Sequence, residues 1–176
     1  MKYLIISDIH GSFKYLKLAI KAYNDFKCDK IIILGDILYH GPRNDLPEQY
    51  SPKECITLLN SYKSVIEAVG GNCDAEVDQM VLDFKIDSPH FSLINNKKVY
   101  LTHGHHLDLV PKKTKYVFYG HTHVSNIKET DGIIYINPGS VSIPKGDLIH
   151  SFAFVDDNNN LKIYDFSYNV KEDYNL

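Results

Sequence analysis

Two short, continuous apolar runs with a helical pattern between them constrain the fold of this chain most strongly. The runs, residues 3–6 and 30–34, are typical of strands that are buried on both faces of a sheet. Ser12 can cap the intervening helix. The apolar positions of that helix recur at helical spacing: Leu16, Ala19, Ile20 and Tyr23. This unit predicts two parallel strands joined by a right-handed crossover, with both carboxyl ends at one edge of the sheet.

The remainder of the chain changes from this alternating pattern to a succession of strands. Ser51-Pro52-Lys53-Glu54 predicts the start of a second helix, with a cap and a proline at the first helical position. A third strand is predicted at 64–69 and a short helix at 75–82. Further strands are predicted at 91–94, 98–101, 116–119, 133–136, 152–155 and 161–166, and residues 169–176 are expected to fray. The pattern indicates two packed sheets flanked by helices.

Length, charge and cysteine content limit the classes of protein to consider. With 176 residues the chain is expected to form a single domain, 1–176. Its net charge of -3 argues against a stable nucleic-acid complex, and no apolar run is long enough to span a membrane. Three cysteines without CxxC spacing favour a reducing, cytoplasmic location. The 13 Tyr and 8 Phe residues would suit a core or a homo-oligomer interface, which leaves the oligomeric state open.

Residue types that bind metals follow five of the predicted strands. They occur in the segments Asp8-Ile9-His10, Gly35-Asp36, Gly71-Asn72, His103-Gly104 and Gly120-His121-Thr122-His123. Any one of these segments alone would fit an ordinary turn, because aspartate and glycine are common turn residues. Five in succession, each with an oxygen or nitrogen ligand at a strand end, indicate one shared metal site.

These segments and their neighbours resemble the signature of the calcineurin-like metallophosphoesterases. The resemblance includes Ser7-Asp8-Ile9-His10-Gly11, Gly71-Asn72-Cys73-Asp74 and Thr102-His103-Gly104-His105. The loop at 35–44 is similar in particular to the small bacterial and archaeal phosphodiesterases of the YfcE type. The resemblance covers essentially the whole chain. It implies an α/β fold, namely a four-layer αββα sandwich of two mixed sheets flanked by helices.

For the site, the resemblance implies two divalent metal ions bridged by Asp36. The ligands of the first ion would be Asp8, His10, Asp36 and His123. The ligands of the second ion would be Asp36, Asn72, His103 and His121. Such carboxylate, imidazole and amide ligands suit Mn²⁺, which we expect here, and also Fe, Zn²⁺, Ni²⁺ or Co²⁺. A hydroxide that bridges the two ions would attack the phosphorus atom, so the expected activity is hydrolysis of a small phosphodiester. The two divalent ions bring four positive charges, and Asp8 and Asp36 neutralise two of them. The remaining two are balanced by one hydroxide and one diester anion.

The residues after the motif asparagine distinguish this chain from larger family members. Many of those carry a histidine where this chain has Cys73, and a thiol with its usual pKa of about 8.5 is a poorer acid towards a leaving group. The expected enzyme is therefore a phosphodiesterase that favours good leaving groups or relies on activation by the metal, rather than a strong monoesterase. The alternative is that Cys73 only packs. Asp74 is expected to orient a ligand or a neighbouring histidine, and Asn72 and His105 complete the predicted catalytic set.

Residues of the loops are expected to contact the substrate or to support the site. Arg43 is the predicted phosphate clamp, with a solvated loop arginine as the alternative, and His40 lies on the same loop. His105 would hydrogen-bond the phosphate or the bridging water. Asn137-Pro138-Gly139-Ser140 is predicted to form a tight turn that supports the metal-binding loops.

Two alternatives to a phosphodiesterase remain open. The first is a phosphomonoesterase or nucleotide phosphatase, against which Cys73 and the small size count. The second is a metal-free, protein-binding scaffold of the Vps29 type, which shares the fold. Scaffolds of this type have lost residues of the metal site, whereas all seven predicted ligand positions are occupied by competent ligands here. The sequence therefore favours the enzyme.

Overall fold

The computed structural model describes residues 1–176 and contains two mixed β-sheets. In chain order the strands are β1 Tyr3–Ile6, β2 Lys30–Ile33, β3 Ile66–Val69, β4 Ile86–Asp87, β5 His90–Ile94, β6 Lys97–Leu101, β7 Tyr116–Phe118, β8 Asn126–Thr130, β9 Ile133–Asn137, β10 Ser151–Val155, β11 Asn160–Asp165 and β12 Val170–Asn175. The α-helices are α1 Phe13–Asp25, α2 Pro52–Asn60 and α3 Glu76–Val81. The seven-stranded sheet has the order β12-β11-β10-β1-β2-β3-β4, and the five-stranded sheet has the order β5-β6-β7-β9-β8. The prediction of two mixed sheets is confirmed.

The predicted strand–helix–strand unit begins the larger sheet. β1 and β2 are parallel, with Ile6 opposite Ile33, and the hydroxyl of Ser12 accepts a hydrogen bond from the Tyr15 N–H at the start of α1. β3 and β4 continue the parallel part of the sheet in sequence order. Right-handed crossovers between consecutive parallel neighbours place the connecting helices α1, α2 and α3 on the same face of the sheet.

Two hydrophobic cores lie on opposite faces of the larger sheet. Leu4 and Ile6 of β1 belong to the core beneath α1 and α2, whereas Tyr3 and Ile5 belong to the core between the two sheets. This division explains why β1 is apolar at every position, because both of its faces are buried. The burial holds the carboxyl end of β1, and with it Asp8, in a fixed place.

Many of the aromatic residues are in the core. Phe26, at the end of α1, packs against Phe152, Phe154, Tyr164 and Tyr168, with ring centroids 4.8 to 5.9 Å apart. These contacts attach α1 to the β10–β11 hairpin. A large part of the aromatic content is therefore explained without a subunit interface.

The structure differs from the sequence predictions at the chain end and at two strands. The prediction that residues 169–176 fray is wrong, because β12 pairs antiparallel with β11 and Leu176 is buried. β12 is rich in charged residues, so its sequence lacks the apolar alternation of a strand. β4 and β8 were not predicted either, since β4 has two residues and β8 is mostly exposed.

Helices contribute unequally to the two sheets. All three α-helices connect strands of the larger sheet, whereas the smaller sheet contributes one 3-10 turn, Leu107–Leu109, between β6 and β7. None of the helices has the length and apolar character that crossing a bilayer would require.

Candidate metal centre

The ends of strands from both sheets meet at one edge of the molecule. Asp8 and His10 follow β1, Asp36 follows β2, His103 follows β6, and His123 lies in the loop after β7. The side chains of these five residues are almost completely buried, with at most 4% of each residue exposed. Parallel pairing of β1 with β2 and of β6 with β7 brings their carboxyl ends to the same edge.

The ring nitrogens and carboxylate oxygens of these residues lie close together. The His123 Nε2 is 3.2 Å from the Asp8 Oδ1 and 3.3 Å from the His10 Nε2. The Asp36 Oδ2 is 3.4 Å from the His103 Nε2 and 3.6 Å from the His10 Nε2. Three groups of side chains therefore present ligand atoms within 4.8 Å of one another: Asp8, His10 and His123; Asp8, Asp36 and His103; and His10, Asp36 and Cys73.

Backbone carbonyl groups orient all three buried imidazoles. The Nδ1 of His10 lies 2.7 Å from the Tyr39 carbonyl oxygen, and the Nδ1 of His103 lies 2.7 Å from that of Leu34. The Nδ1 of His123 lies 2.6 Å from the carbonyl oxygen of Ile143. A carbonyl oxygen can only accept, so each Nδ1 carries the hydrogen and donates it. The lone pair of each Nε2 is thereby left to face the centre, as metal-binding histidines require.

Backbone N–H groups orient the two carboxylates in the same way. The His121 N–H donates to the Asp8 Oδ2 at 3.1 Å, and the Cys73 N–H donates to the Asp36 Oδ1 at 2.9 Å. The second oxygen of each carboxylate, Asp8 Oδ1 and Asp36 Oδ2, then faces the histidines. Oxygen and nitrogen lone pairs thus converge on one space.

Two of the converging atoms have no hydrogen-bond partner although they are buried. They are the Asp8 Oδ1 and the His103 Nε2. Buried polar atoms are nearly always paired, and when His103 is neutral this oxygen and this nitrogen both present lone pairs and cannot satisfy each other. A bound cation would satisfy both atoms. The residues present therefore fit a divalent metal ion.

The pKa values of the centre agree with a site that attracts positive charge. Burial alone would raise the pKa of Asp8, but the nearby imidazoles of His10, His123 and His103 outweigh burial and hold that pKa well below its usual range. Burial alone would lower the pKa of His103, but its contacts with Asp36 and Asp8 raise that pKa to about 9. The carboxylates thus stay ionised and draw protons, or other cations, to the centre.

The backbone is strained at five of the seven predicted ligands. Asp8, His10, Asp36, His121 and His123 have φ values between 48° and 66°, in the left-handed region. Residues other than glycine are uncommon there, and such conformations persist only where the surroundings hold them. The left-handed turn after each strand directs the side chain back towards the centre.

Two glycines of the motifs allow the loops to approach the carboxylates. A Cβ atom on Gly71 would lie 2.2 Å from the Asp36 Oδ1, and one on Gly120 would lie 1.9 Å from the Ser7 Oγ. No side chain fits at either position without moving these groups. The glycines before Asn72 and His121 are therefore required by close packing against the metal centre.

The predicted turn at 137–140 contacts the metal-binding loops directly. The Asn137 Nδ2 donates to the Gly120 carbonyl oxygen at 2.8 Å. The hydroxyls of Ser140 and Ser142 both donate to the Asp8 carbonyl oxygen, at 2.8 and 2.9 Å. The turn therefore joins the loop after β1 to the loop after β7.

Asp74 binds backbone groups rather than a histidine. Its Oδ2 accepts hydrogen bonds from the N–H groups of Asp36 and Gly71, at 2.8 and 2.7 Å, and its Oδ1 accepts one from Ile37 at 2.7 Å. Burial raises the pKa of Asp74, and these three N–H groups oppose that rise. The expectation that Asp74 orients a neighbouring histidine has no contact to support it. The carboxylate fixes the backbone that carries Asp36.

A cleft of about 740 Å³ opens beside the centre and contains most of the remaining predicted residues. Asp36, Asn72, Cys73, His121 and His123 line it together with Arg43. Asn72 is exposed, and the one hydrogen bond of its side chain goes to the Cys73 Sγ at 3.4 Å. Asn72 and His121 thus reach the cleft but not the buried cluster.

His40 and His105 do not line this cleft. The ring of His40 packs against Tyr39 and Tyr50, with centroids 4.7 and 5.3 Å away. The ring of His105 lies 5.5 Å from that of His103, and its Nδ1 is buried without a partner. The structure therefore places both histidines around the cleft rather than in it.

Lys145, which belongs to none of the sequence motifs, also lines the cleft. Its backbone N–H donates to the His123 carbonyl oxygen at 3.0 Å, which fixes the loop at the mouth of the site. Neither Lys145 nor Arg43 forms an ion pair. The position of Lys145, five residues after the turn that contacts the metal loops, was the signal in the sequence.

Comparison with known families and proteins agrees with this geometry. The model of the calcineurin-like phosphoesterase superfamily domain matches residues 1–160. The chain is 40% identical over 161 residues to the protein named phosphodiesterase YfcE of Escherichia coli K12, covering 89% of this chain and 88% of that one. It is 30% identical over 151 residues to phosphodiesterase MJ0936 of Methanocaldococcus jannaschii, covering 79% and 83%.

Solved structures show the same architecture. The structure of YfcE, described as a phosphoesterase from E. coli, superposes with a TM-score of 0.94 over all of both chains, at 36% identity. Vps29 from Entamoeba histolytica, solved with Zn²⁺, superposes with a TM-score of 0.66 at 20% identity, covering 99% of this chain and 98% of that one. The second likeness is one of fold alone.

Proposed function

This chain belongs to the calcineurin-like phosphoesterase superfamily, and we propose that it is a metal-dependent phosphodiesterase. The observation that carries the proposal is the convergence of three oriented imidazoles and two carboxylates on one space, with the Asp8 Oδ1 and the His103 Nε2 unpartnered. The relatives YfcE and MJ0936, both named phosphodiesterases, support the choice of reaction.

The proposed centre holds two divalent ions. Asp8, His10 and His123 would hold one, and His103 would hold the other with Asp36 shared between them. His121 and Asn72, which line the cleft, would complete the second site. The oxygen and nitrogen donors suit Mn²⁺, and Fe, Zn²⁺, Ni²⁺ or Co²⁺ would also be accepted.

When bound, the ions would supply Lewis acidity towards the phosphate and lower the pKa of a coordinated water. The chain's own residues determine where this chemistry occurs. The fixed carbonyls of Tyr39, Leu34 and Ile143 keep each histidine in the tautomer that binds a cation. The exposed cations Arg43 and Lys145 line the cleft and would bind phosphate oxygens there.

A diester is proposed as the substrate in preference to a monoester. Burial, with the nearby charge of Asp36, raises the pKa of the Cys73 thiol to about 12, so this group stays protonated at neutral pH. A thiol of such low acidity gives up its proton poorly to a leaving oxygen. The reaction would therefore favour esters whose leaving groups need little help from an acid, and the names of the relatives YfcE and MJ0936 support a diester among them.

The proposal is tested by removing all metal from the protein and adding back Mn²⁺. Hydrolysis of bis-p-nitrophenyl phosphate is compared with that of p-nitrophenyl phosphate, and the number of ions bound per chain is measured by calorimetry. We expect two ions per chain and restored activity that is higher on the diester. The Asp36→Asn variant, which removes a predicted ligand, should lose this activity. The Asp83→Asn variant, which removes a carboxylate elsewhere on the surface, should keep it.

Two results would contradict the proposal. Folded protein that binds no metal and hydrolyses neither ester with Mn²⁺, Ni²⁺, Co²⁺ or Zn²⁺ would favour a protein-binding scaffold. Activity that is higher on the monoester would favour a phosphomonoesterase or nucleotide phosphatase.

A cytoplasmic location is part of the same proposal. The three cysteines are free thiols, and two of them, Cys28 and Cys55, are buried. Thiols are retained without disulfides most readily in a reducing compartment, which supports this location.

A further inference from the structure

A second, shallow cavity of about 350 Å³ lies beside the metal cleft and is lined almost entirely by apolar side chains. We call it the apolar groove, and its own walls are Leu38, Tyr50, Pro52, Ile56, Val77 and Val81. Tyr39, Cys73 and Ala75 line both the groove and the cleft. The two cavities are therefore adjacent.

The groove and the cleft differ sharply in charge. Arg43 and Lys145 line the cleft, but no lysine or arginine lines the groove. The one acidic residue of the groove, Asp78, is buried, and its carboxylate accepts a hydrogen bond from the Ala75 N–H at 2.9 Å. A group that enters the groove meets an apolar surface with no partner for a charge.

Apolar side chains at the rim of the groove are exposed to solvent. Val77 is 58% exposed, Tyr39 is 41% exposed and Val81 is 39% exposed. Grouped apolar exposure of this kind marks surfaces that bind a ligand or a partner. Because three residues line both the groove and the cleft, a substrate bound in the cleft is the occupant within reach of the groove.

Cys73 connects the groove to the metal centre. Its Sγ lies within 4.8 Å of ligand atoms of His10 and Asp36, and the residue also lines the groove. A phosphate bound at the metal centre would therefore direct one of its substituents past Cys73 into the groove. The charged oxygens of the phosphate would remain in the cleft with Arg43 and Lys145.

We propose that the apolar groove receives one uncharged aromatic or aliphatic ester arm of the substrate. The inference rests on the proposed phosphodiesterase function and narrows it to one class of substrate. That class is a singly charged phosphodiester with an apolar arm on the side of Cys73. An arm that carries a further phosphate is disfavoured, because the groove has no cation to bind it.

The test compares two competitive inhibitors that share one phosphonate group, phenylphosphonate and methylphosphonate. Inhibition of bis-p-nitrophenyl phosphate hydrolysis is measured with the Mn²⁺-loaded protein. Burial of an aromatic ring predicts that phenylphosphonate inhibits about tenfold more strongly than methylphosphonate. In Val77→Asn and Val81→Asn, which introduce a polar group without charge, this ratio should fall to about threefold or less.

A matched control comes from the same helix. Met80 lies on α3 with Val77 and Val81, is 82% exposed and does not line the groove. Met80→Asn should therefore keep the tenfold ratio. A ratio near one in the unchanged protein would overturn the inference, as would an unchanged ratio in both groove variants.

The two proposals can fail separately. If the protein hydrolyses no diester, calorimetric binding of the two phosphonates to the Mn²⁺-loaded protein still measures the ratio, and equal affinities or no binding would overturn the groove. The other conceivable occupant of the groove is a second copy of this chain, and sedimentation, which measures the oligomeric state, tests for it. If Val77→Asn dissociates an oligomer while the phosphonate ratio stays unchanged, the groove is an interface between copies of this chain and the inference is wrong.

Discussion

The carboxylate of Asp74 holds the backbone of Asp36, because its Oδ2 accepts the Asp36 N–H at 2.8 Å. The same carboxylate accepts hydrogen bonds from Ile37 and Gly71, at 2.7 Å in each case. Asp36 has a left-handed φ of 54°, a conformation that its surroundings must stabilise. Asp74 is thus a positioning residue for Asp36, a predicted metal ligand, because its carboxylate holds the backbone of Asp36.

Replacing Asp74 by alanine should destabilise the protein and weaken metal binding together. Three backbone N–H groups would lose their acceptor, and we expect a loss of about 2 kcal/mol or more in the free energy of unfolding. The measurement is urea unfolding of the metal-free protein, followed by calorimetric Mn²⁺ titration. Asp83→Ala, which removes an exposed ion pair with Lys63, should cost less than about 1 kcal/mol. Equal stability of the two variants would contradict the role given to Asp74.

The role of Asp74 also shows where sequence reasoning stops. Asp8, Asp36, His103 and His123 could be predicted because each follows a buried strand, and parallel strands end at one edge. The three partner groups of Asp74 are backbone N–H groups that lie 38, 37 and 3 residues away in sequence, and no side-chain pattern encodes them. The same holds for the carbonyls that orient the three histidines.

The fold, too, could be predicted only in part from the sequence. Continuous apolar runs identified β1 and β2, since both of their faces are buried. β12 could not be identified in this way, because one edge of this strand is free and most of its side chains are at least partly exposed. Beyond its pairing with β11, the contacts of β12 include Tyr174 in the core, the hydrogen bond from the Ile127 N–H to Glu172 and the ion pair of Lys171 with Asp147, none of which has a sequence signature.

Asp36→Asn should abolish hydrolysis while the protein stays folded. The amide oxygen can still accept the Cys73 N–H, so the loop is preserved, but the atom that faces the histidines is then an NH₂ group, which cannot bind a metal ion. Replacing a residue that only hydrogen-bonds to a metal ligand commonly lowers metal affinity or activity by about tenfold to 100-fold. For a ligand itself we therefore expect a loss of at least about 100-fold in activity on bis-p-nitrophenyl phosphate. Circular dichroism and metal stoichiometry accompany the assay. Activity near the original level in the metal-loaded variant would refute the assignment of Asp36.

His103→Ala tests the second ion separately. The Nε2 of His103 is one of the two converging atoms without a partner, and it lies 4.0 Å from the Asp8 Oδ1, whereas the His123 Nε2 lies 3.2 Å from that oxygen. We expect this variant to bind one Mn²⁺ ion more weakly and the other nearly unchanged, with hydrolysis lost. Two unchanged binding events in calorimetry would show that His103 is not a ligand.

Cys73→His should raise monoester turnover relative to diester turnover. An imidazole can donate a proton near neutral pH, whereas burial raises the pKa of the Cys73 thiol to about 12. We expect the ratio of p-nitrophenyl phosphate to bis-p-nitrophenyl phosphate hydrolysis to rise by about tenfold, which is less than the roughly 10²- to 10⁴-fold of general acid catalysis because p-nitrophenolate is a good leaving group. Cys73→Ser is the control for loss of the thiol alone. An unchanged ratio would return Cys73 to a packing role between the cleft and the groove.

Arg43 and Lys145 should act on substrate affinity rather than on the chemical step. Both are exposed, both line the cleft, and neither is engaged in an ion pair. Each charged hydrogen bond to a phosphate oxygen at an exposed site is worth a fraction of the buried value, so removing one should raise KM by about threefold to tenfold with a smaller change in kcat. Steady-state kinetics of Arg43→Ala and Lys145→Ala, at two salt concentrations, measure this. Lys112→Ala, an exposed lysine that does not line the cleft, should leave KM unchanged. A fall in kcat with an unchanged KM would instead place the affected cation at the reacting phosphoryl group.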